Sequence, residues 1–103
     1  MFIIVYTTIP KNEAKKLAKK IIQEKLAGCI NIIDSVNSIY IWQNEIKDEE
    51  ESLLIIKTKQ SVFKTLEDFI INNHPYDVPE IIATPLVNAN LEYLNWLDES
   101  VKD

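Results

Sequence analysis

Few side chains in this sequence can do chemistry, and they lie far apart. The chain has one histidine, His74, one cysteine, Cys29, and no arginine. His74 precedes Pro75 in a polar loop, where an imidazole serves equally as a hydrogen-bonding strut or as a ligand contact. Cys29 opens an apolar run, a position that suits a small buried hydrophobe as well as a ligand. The densest run of charge is Asp48-Glu49-Glu50-Glu51. In an extended chain Glu49 and Glu51 share one face and could hold a hard cation weakly; the plainer role is a solvated, aggregation-resistant edge. Lys57 interrupts the end of an apolar arm and Glu80 precedes another. Charges so placed are seldom buried unless paired, so these two either line a polar cleft or neutralise one another, and pairing is the expectation.

Catalysis finds little support in this inventory, and no enzyme is expected. A single imidazole leaves no partner for relay chemistry, and no Ser-His-Asp arrangement is present. One glycine in the whole chain is too few for a phosphate-cradling loop. Without arginine there is no bidentate grip on an acyl phosphate. A net charge of −5 argues against a nucleic-acid footprint, which needs a dense basic patch. No apolar run approaches the ~18 residues of a membrane span. Met1-Phe2-Ile3-Ile4-Val5-Tyr6 lacks the basic start and the length of a signal sequence. A lone cysteine makes no internal disulfide, so a reducing, cytoplasmic setting is the default expectation.

The elements that must position these residues are legible from periodicity. With 103 residues, 47% of them hydrophobic, the chain reads as one domain over residues 1–103. Phe2 to Thr8 is a β-branched apolar run, a central strand ended by Pro10. Ala14, Leu17, Ala18, Ile21, Ile22 and Leu26 recur at helical spacing with lysines opposite, and Gly28 stands where a helix C-cap takes a left-handed residue. Cys29 to Ile33 starts a second strand, with a bulge or bend over Asp34 to Asn37. Ile39-Tyr40-Ile41-Trp42 alternates β-branched and aromatic residues, the first arm of a hairpin turning at Gln43-Asn44. The returning arm is acidic through Glu51 and then apolar on both faces over Leu53-Leu54-Ile55-Ile56. Ser61 is the expected N-cap of a second helix carrying Val62, Phe63, Leu66, Phe69 and Ile70. Two prolines hold His74 to Glu80 extended. Ile81 to Val87 forms a fourth strand, placed at an edge by Pro85, and Asn90 caps a terminal helix.

The order βαββαβ plus a terminal helix implies an α+β, ferredoxin-like antiparallel sheet with both main helices on one face. The inner strands, Phe2 to Thr8 and Leu53 to Lys57, are apolar on both faces, yet two helices cover only one. A bare apolar face of that size exceeds what a soluble monomer usually tolerates. Other copies of the same chain are therefore expected to bury it. Tyr93 and Trp96 flank the terminal helix and are expected to pin it to a neighbouring subunit.

Gly28-Cys29-Ile30-Asn31-Ile32, Ser38-Ile39-Tyr40-Ile41-Trp42, Leu54-Ile55-Ile56-Lys57-Thr58, the loop His74-Pro75-Tyr76-Asp77-Val78-Pro79-Glu80-Ile81-Ile82 and Tyr93-Leu94-Asn95-Trp96-Leu97 resemble the CutA family of divalent-cation tolerance proteins. The resemblance runs through nearly the whole chain in order. It implies a homotrimer similar to the PII signalling proteins, and a link to Cu(II) or another divalent cation with no organic cofactor. Some members implicated in copper binding carry a Cys at the end of the first strand and a His-His pair before Pro-Tyr. Here those places hold Tyr6-Thr7-Thr8 and Asn73-His74. A lone imidazole is a weak copper site, so a strong one must add Cys29, a carboxylate such as Glu49 or Glu51, or a neighbour's ligands to His74. The PII likeness offers a different reading, an adaptor with clefts between subunits lined by Tyr40, Trp42, Lys57, Tyr76 and Glu80, taking a small ligand or a protein partner at the hairpin.

Overall fold

The computed structural model describes residues 1–103. Its strands are β1 (Phe2–Ile9), β2 (Cys29–Trp42), β3 (Glu45–Lys59) and β4 (Ile82–Pro85), and its helices α1 (Ala14–Gln23), α2 (Phe63–Asn72) and α3 (Leu91–Ser100). The strands form one antiparallel sheet in the order β2-β3-β1-β4. This is the expected α+β architecture, with the two doubly apolar strands at its centre. Pro85 lies in edge strand β4, as its missing N–H requires.

Strand parity sorts the side chains. On one face Ile3, Val5, Leu54 and Ile56 pack against Leu17 and Ile21 of α1 and Leu66 and Ile70 of α2, all fully buried. The other face presents Ile4, Tyr6, Leu53 and Ile55, which neither α1 nor α2 covers. Ile33 and Ile82 continue this open face and are 44% and 53% exposed. A small second cluster, Val62, Leu97 and Val101 with Phe2 and Tyr93, attaches α3 near one end of the sheet. Lys59 is buried there between Asp103, at 2.9 Å, and Asp98, at 3.0 Å. Hydrogen bonds from Lys59 to these two carboxylates, Asp103 first, hold its ammonium above the ordinary lysine range.

β2 and β3 form a hairpin that stretches the subunit to 45 × 25 × 22 Å. Its turn is the expected one: Gln43 and Asn44 have φ of 51° and 65°, the left-handed pair that a two-residue hairpin turn needs. The bulge is also where the polar residues placed it, as a register shift between Ile33 and Val36. Ser52 Oγ donates to the Asp34 carbonyl at 2.8 Å, satisfying a backbone group inside the bulge.

Three local expectations fail. Gly28 is not the α1 cap. Lys25 takes the left-handed position (φ 57°), and the Leu26 and Lys25 amides return to the carbonyls of Ile21 and Ile22 in a Schellman closure. Gly28 is needed for space instead, because a Cβ there would stand 2.4 Å from Leu97 Cδ1 and 3.3 Å from Ser100 Cβ. Ser61 caps nothing; its hydroxyl donates to Asp103 at 3.0 Å, and α2 follows a short 3-10 turn, Gln60–Val62, without a side-chain cap. β4 is limited to Ile82–Pro85, shorter than Ile81 to Val87. Because Leu97 is fully buried, Gly28→Ala must displace the Leu97 side chain or shift α3 itself. We expect a loss of about 1–3 kcal/mol, as for other overpacked sites, read from denaturant unfolding; an unchanged midpoint would show that Leu97 has room to move.

Candidate functional site

The chemistry-bearing residues that do converge meet at the base of the projecting hairpin. Cross-strand register sets Val36 opposite Glu51, Ser38 opposite Glu49, Tyr40 opposite Lys47 and Trp42 opposite Glu45. Directly opposed residues share a face, so Tyr40, Trp42, Glu49 and Glu51 lie on one side. The parity of β3 makes this the same side as Ile55 and Leu53. The loop after α2 closes over it. Tyr76 donates its hydroxyl to Glu51 Oε2 at 2.6 Å, and Tyr40 donates to Glu49. Glu51 is left only 4% exposed, a buried carboxylate held by a phenol.

His74 fixes that loop. Its Nε2 lies 2.8 Å from the Thr8 carbonyl, and its Nδ1 accepts the Tyr76 amide N–H at 3.1 Å. A carbonyl can only accept, so Nε2 carries the proton and Nδ1 the lone pair. Thr8 lies beyond the part of β1 that β4 pairs, so the imidazole supplies a donor where the sheet ends. The His74 and Tyr76 rings stand 4.7 Å apart. Burial, then the bond to Glu51, and then the charges of Glu51 and Glu49 push the Tyr76 phenol strongly upward. Tyr40 is pushed up to about 12, chiefly by its hydrogen bond to Glu49. Both phenols therefore remain donors at neutral pH.

The four expected metal ligands do not come together. No group of three His, Cys, Asp or Glu side chains with the geometry to hold a metal ion exists in the subunit. His74 has spent both ring nitrogens on the backbone, leaving no free lone pair. Cys29 pairs in register with Lys57, six residues along β3 from Glu51 or about 20 Å at strand rise. It lies against Tyr93, whose phenol is raised by burial and by the neighbouring thiol. Glu49 and Glu51 do share a face, but each accepts from a tyrosine. The residues of one subunit thus do not fit a resident copper ion.

Of the expected cleft, Tyr40 and Tyr76 reach the neighbouring carboxylates Glu49 and Glu51. Trp42 shares their face but stands opposite Glu45 near the tip, six residues or about 20 Å from Glu51, and is 46% exposed. Lys57 and Glu80 neither join them nor pair. Lys57 Nζ donates to Asn31 Oδ1 at 2.6 Å, while Glu80 is exposed before β4 and β1 runs between β3 and β4. Tyr93 and Trp96 stack with centroids 5.5 Å apart, and Tyr93 packs into its own subunit's α3 cluster. Sequence reasoning missed the Tyr76–Glu51 bond and the burial of Lys59. The partners are 25 residues apart in the first case and at least 39 in the second, beyond any local spacing signal.

The sequence profile described as "CutA1 divalent ion tolerance protein" matches residues 3–100. The chain belongs to this family. It is 47% identical over 102 residues to a chloroplastic CutA of Arabidopsis thaliana, covering 98% of this chain and 56% of that relative. The chain thus spans a little over half the length of that plant protein. The crystal structure of CutA1 from Oryza sativa superposes with a TM-score of 0.97 at 46% identity, covering 99% of this chain and 94% of the other. The periplasmic divalent cation tolerance protein CutA of Archaeoglobus fulgidus gives 0.95 at 34% identity, covering 99% and 100%. These family members overturn the cytoplasmic expectation, since one is chloroplastic and another periplasmic. A single thiol says only that no intrachain disulfide is needed, and that condition is met in several compartments.

The geometry assigns His74 and Tyr76 a fastening role with a measurable signature. His74→Ala and Tyr76→Phe each orphan a buried polar group, so each should cost about 1–3 kcal/mol in denaturant unfolding. Because the folded-state pKa of Tyr76 is raised, its contribution is complete below the unfolded value of about 10 and is lost as pH climbs toward the folded value. The parent should therefore lose stability above about pH 10 more steeply than Tyr76→Phe; parallel curves would remove the phenol–carboxylate bond as the cause.

Proposed function

We propose that this chain acts without catalysis, as a homotrimer that buries the open sheet face and takes part in tolerance of divalent cations, Cu(II) among them. The observation that carries the reading is the face formed by Ile4, Tyr6, Leu53 and Ile55, continued by exposed Ile33 and Ile82, on which neither α1 nor α2 lies. Burying it supplies the apolar area that stable self-association requires, and the trimeric number follows the family resemblance. On the other side of the hairpin ribbon Ile39, Ile41 and Ile46 stand 70–77% exposed, a further apolar surface suited to a neighbouring copy. Tyr93 and Trp96 border α3, and Trp96 keeps an exposed edge for such a contact. In this reading cation binding depends on carboxylates contributed by more than one protomer, since one protomer offers no three-ligand set.

Two measurements test it. Light scattering at micromolar concentration should give about three times the subunit mass, and a stable monomer would overturn the assembly. Calorimetric titration with Cu(II) should give the same affinity for the parent and for folded His74→Ala. A clear loss in the variant would make the imidazole a ligand after all.

The exposed aromatic side of the hairpin supports a second reading, a PII-like adaptor that receives a small ligand or a protein partner there. Trp42 and Tyr40 are the side chains in question, 46% and 39% exposed. Adding nucleotides would then slow amide hydrogen exchange across residues 38–48. Unchanged exchange with every nucleotide tried would remove nucleotides from that role.

A further inference from the structure

The charge of this acidic chain is unevenly placed. Residues 11–25 carry six lysines against two glutamates, whereas the other 88 residues carry five lysines against fourteen acids. α1 itself has four lysines and no acid. Lys15, Lys16 and Lys19 have no carboxylate within ion-pairing distance. Lys15 and Lys19 stand one turn apart, as do Lys16 and Lys20, and such like-charge pairs disfavour the helix that carries them. Beside this stripe lies a groove of about 410 Å³ between α1 and edge strand β2. Its floor is Ala18, Ile22, Ile30 and Ile32, and Lys15 and Lys19 form its rim. Lysines next to an open edge strand also discourage edge-to-edge pairing, but that role asks for charge alone and not for an apolar trough beneath it.

We propose that this groove docks an acidic amphipathic helix of a partner protein, its apolar stripe on Ala18, Ile22, Ile30 and Ile32 and its carboxylates on Lys15 and Lys19. The lining residues of α1 follow one ridge of the helix, and Lys15 to Gln23 spans about 12 Å at helical rise, two turns of a partner. Charge complementarity selects the sign of the partner, and the apolar floor demands the stripe. A helix suits the groove better than an added strand. A strand on β2 would send alternate side chains to the open face, whereas a helix stays wholly on the α1 side. That side is opposite the face of Ile4, Tyr6, Leu53 and Ile55, so burial of that face leaves the groove open. Ile39, Ile41 and Ile46 lie on the groove's side of the sheet but farther out, on the hairpin beyond the bulge.

The test uses the intact protein and a fluorescent peptide of about 18 residues, long enough to be helical, with leucines on one stripe and glutamates elsewhere. Anisotropy titration should show saturable binding, weakened about tenfold or more by Lys15→Glu with Lys19→Glu and by Ile22→Asp. Lys64→Glu, on α2, should leave it unchanged. A shuffled peptide of identical composition should bind about tenfold more weakly. Light scattering on every variant separates this result from any change in assembly. Equal binding of the shuffled peptide would reduce the stripe to plain electrostatics and overturn the proposal. So would parent-like affinity in the charge-reversed variant, or binding of anionic phosphatidylglycerol vesicles with none of the peptide.

Discussion

A sheet whose two central strands are apolar on both sides must be covered on both sides, and this chain has main helices for only one. α1 and α2 close the face of Ile3, Val5, Leu54 and Ile56 completely. α3 reaches the end near Phe2 and stops there, held by Leu97, Val101 and the Lys59 ion pairs. What is left, from Ile4 and Tyr6 across Leu53 and Ile55 to Ile33 and Ile82, is a continuous hydrophobic surface. Hydrophobic stabilisation scales with the apolar area taken out of water, so a second copy laid on this face gains where a monomer does not.

The hairpin follows from the same constraint. β2 and β3 outrun β1 and β4, so their distal halves have no sheet neighbours and no helix beneath them. Two-stranded ribbons are marginal alone. Here the distal ribbon is steadied from its base. The bulge carbonyl is taken by Ser52, Lys11 reaches Glu50 at 3.3 Å, and Tyr76 bonds Glu51 from the loop that His74 anchors. The His-Pro-Tyr segment thus reads as a fastening between the β1 edge and the ribbon. Its imidazole is consumed by that task, which is why a histidine well placed for ligation has no lone pair to offer.

How far the sequence reveals this differs by length scale. The strands, the two-residue turn, the bulge, the central position of β1 and β3 and the edge position of β4 were all legible, because periods of two and turn residues are local signals. Helix ends were less so. Gly28 looked like a cap because glycine commonly is one; the demand on it is a close approach from Leu97, 69 positions away in the sequence. Ser61 looked like a cap until Asp103 claimed its hydroxyl. At the candidate site, Glu49 and Glu51 could be placed on one face by parity, yet nothing local announced the tyrosines that occupy them. Lys57 and Glu80 looked like partners because each was an isolated charge beside apolar residues. The strand order separates them by the width of β1, a fact of topology and not of composition.

Charge placement ties these features together. Five of the acids crowd into Glu45–Glu51, on the hairpin, while the uncompensated lysines lie on α1, behind the helix-covered face. Were both signs mixed on the open face, self-association would require desolvating charges, which cancels much of the apolar gain. Their removal to the two extremities leaves the middle of the sheet nearly free of charge, with Lys57 as its one cation and Asn31 already satisfying it. Lys11 is the exception that links the ends, because its bridge to Glu50 fastens the start of the basic segment to the acidic ribbon. The segregation therefore does two things at once: it leaves the sheet face fit for a like surface, and it leaves the outward α1 face with an unanswered positive potential.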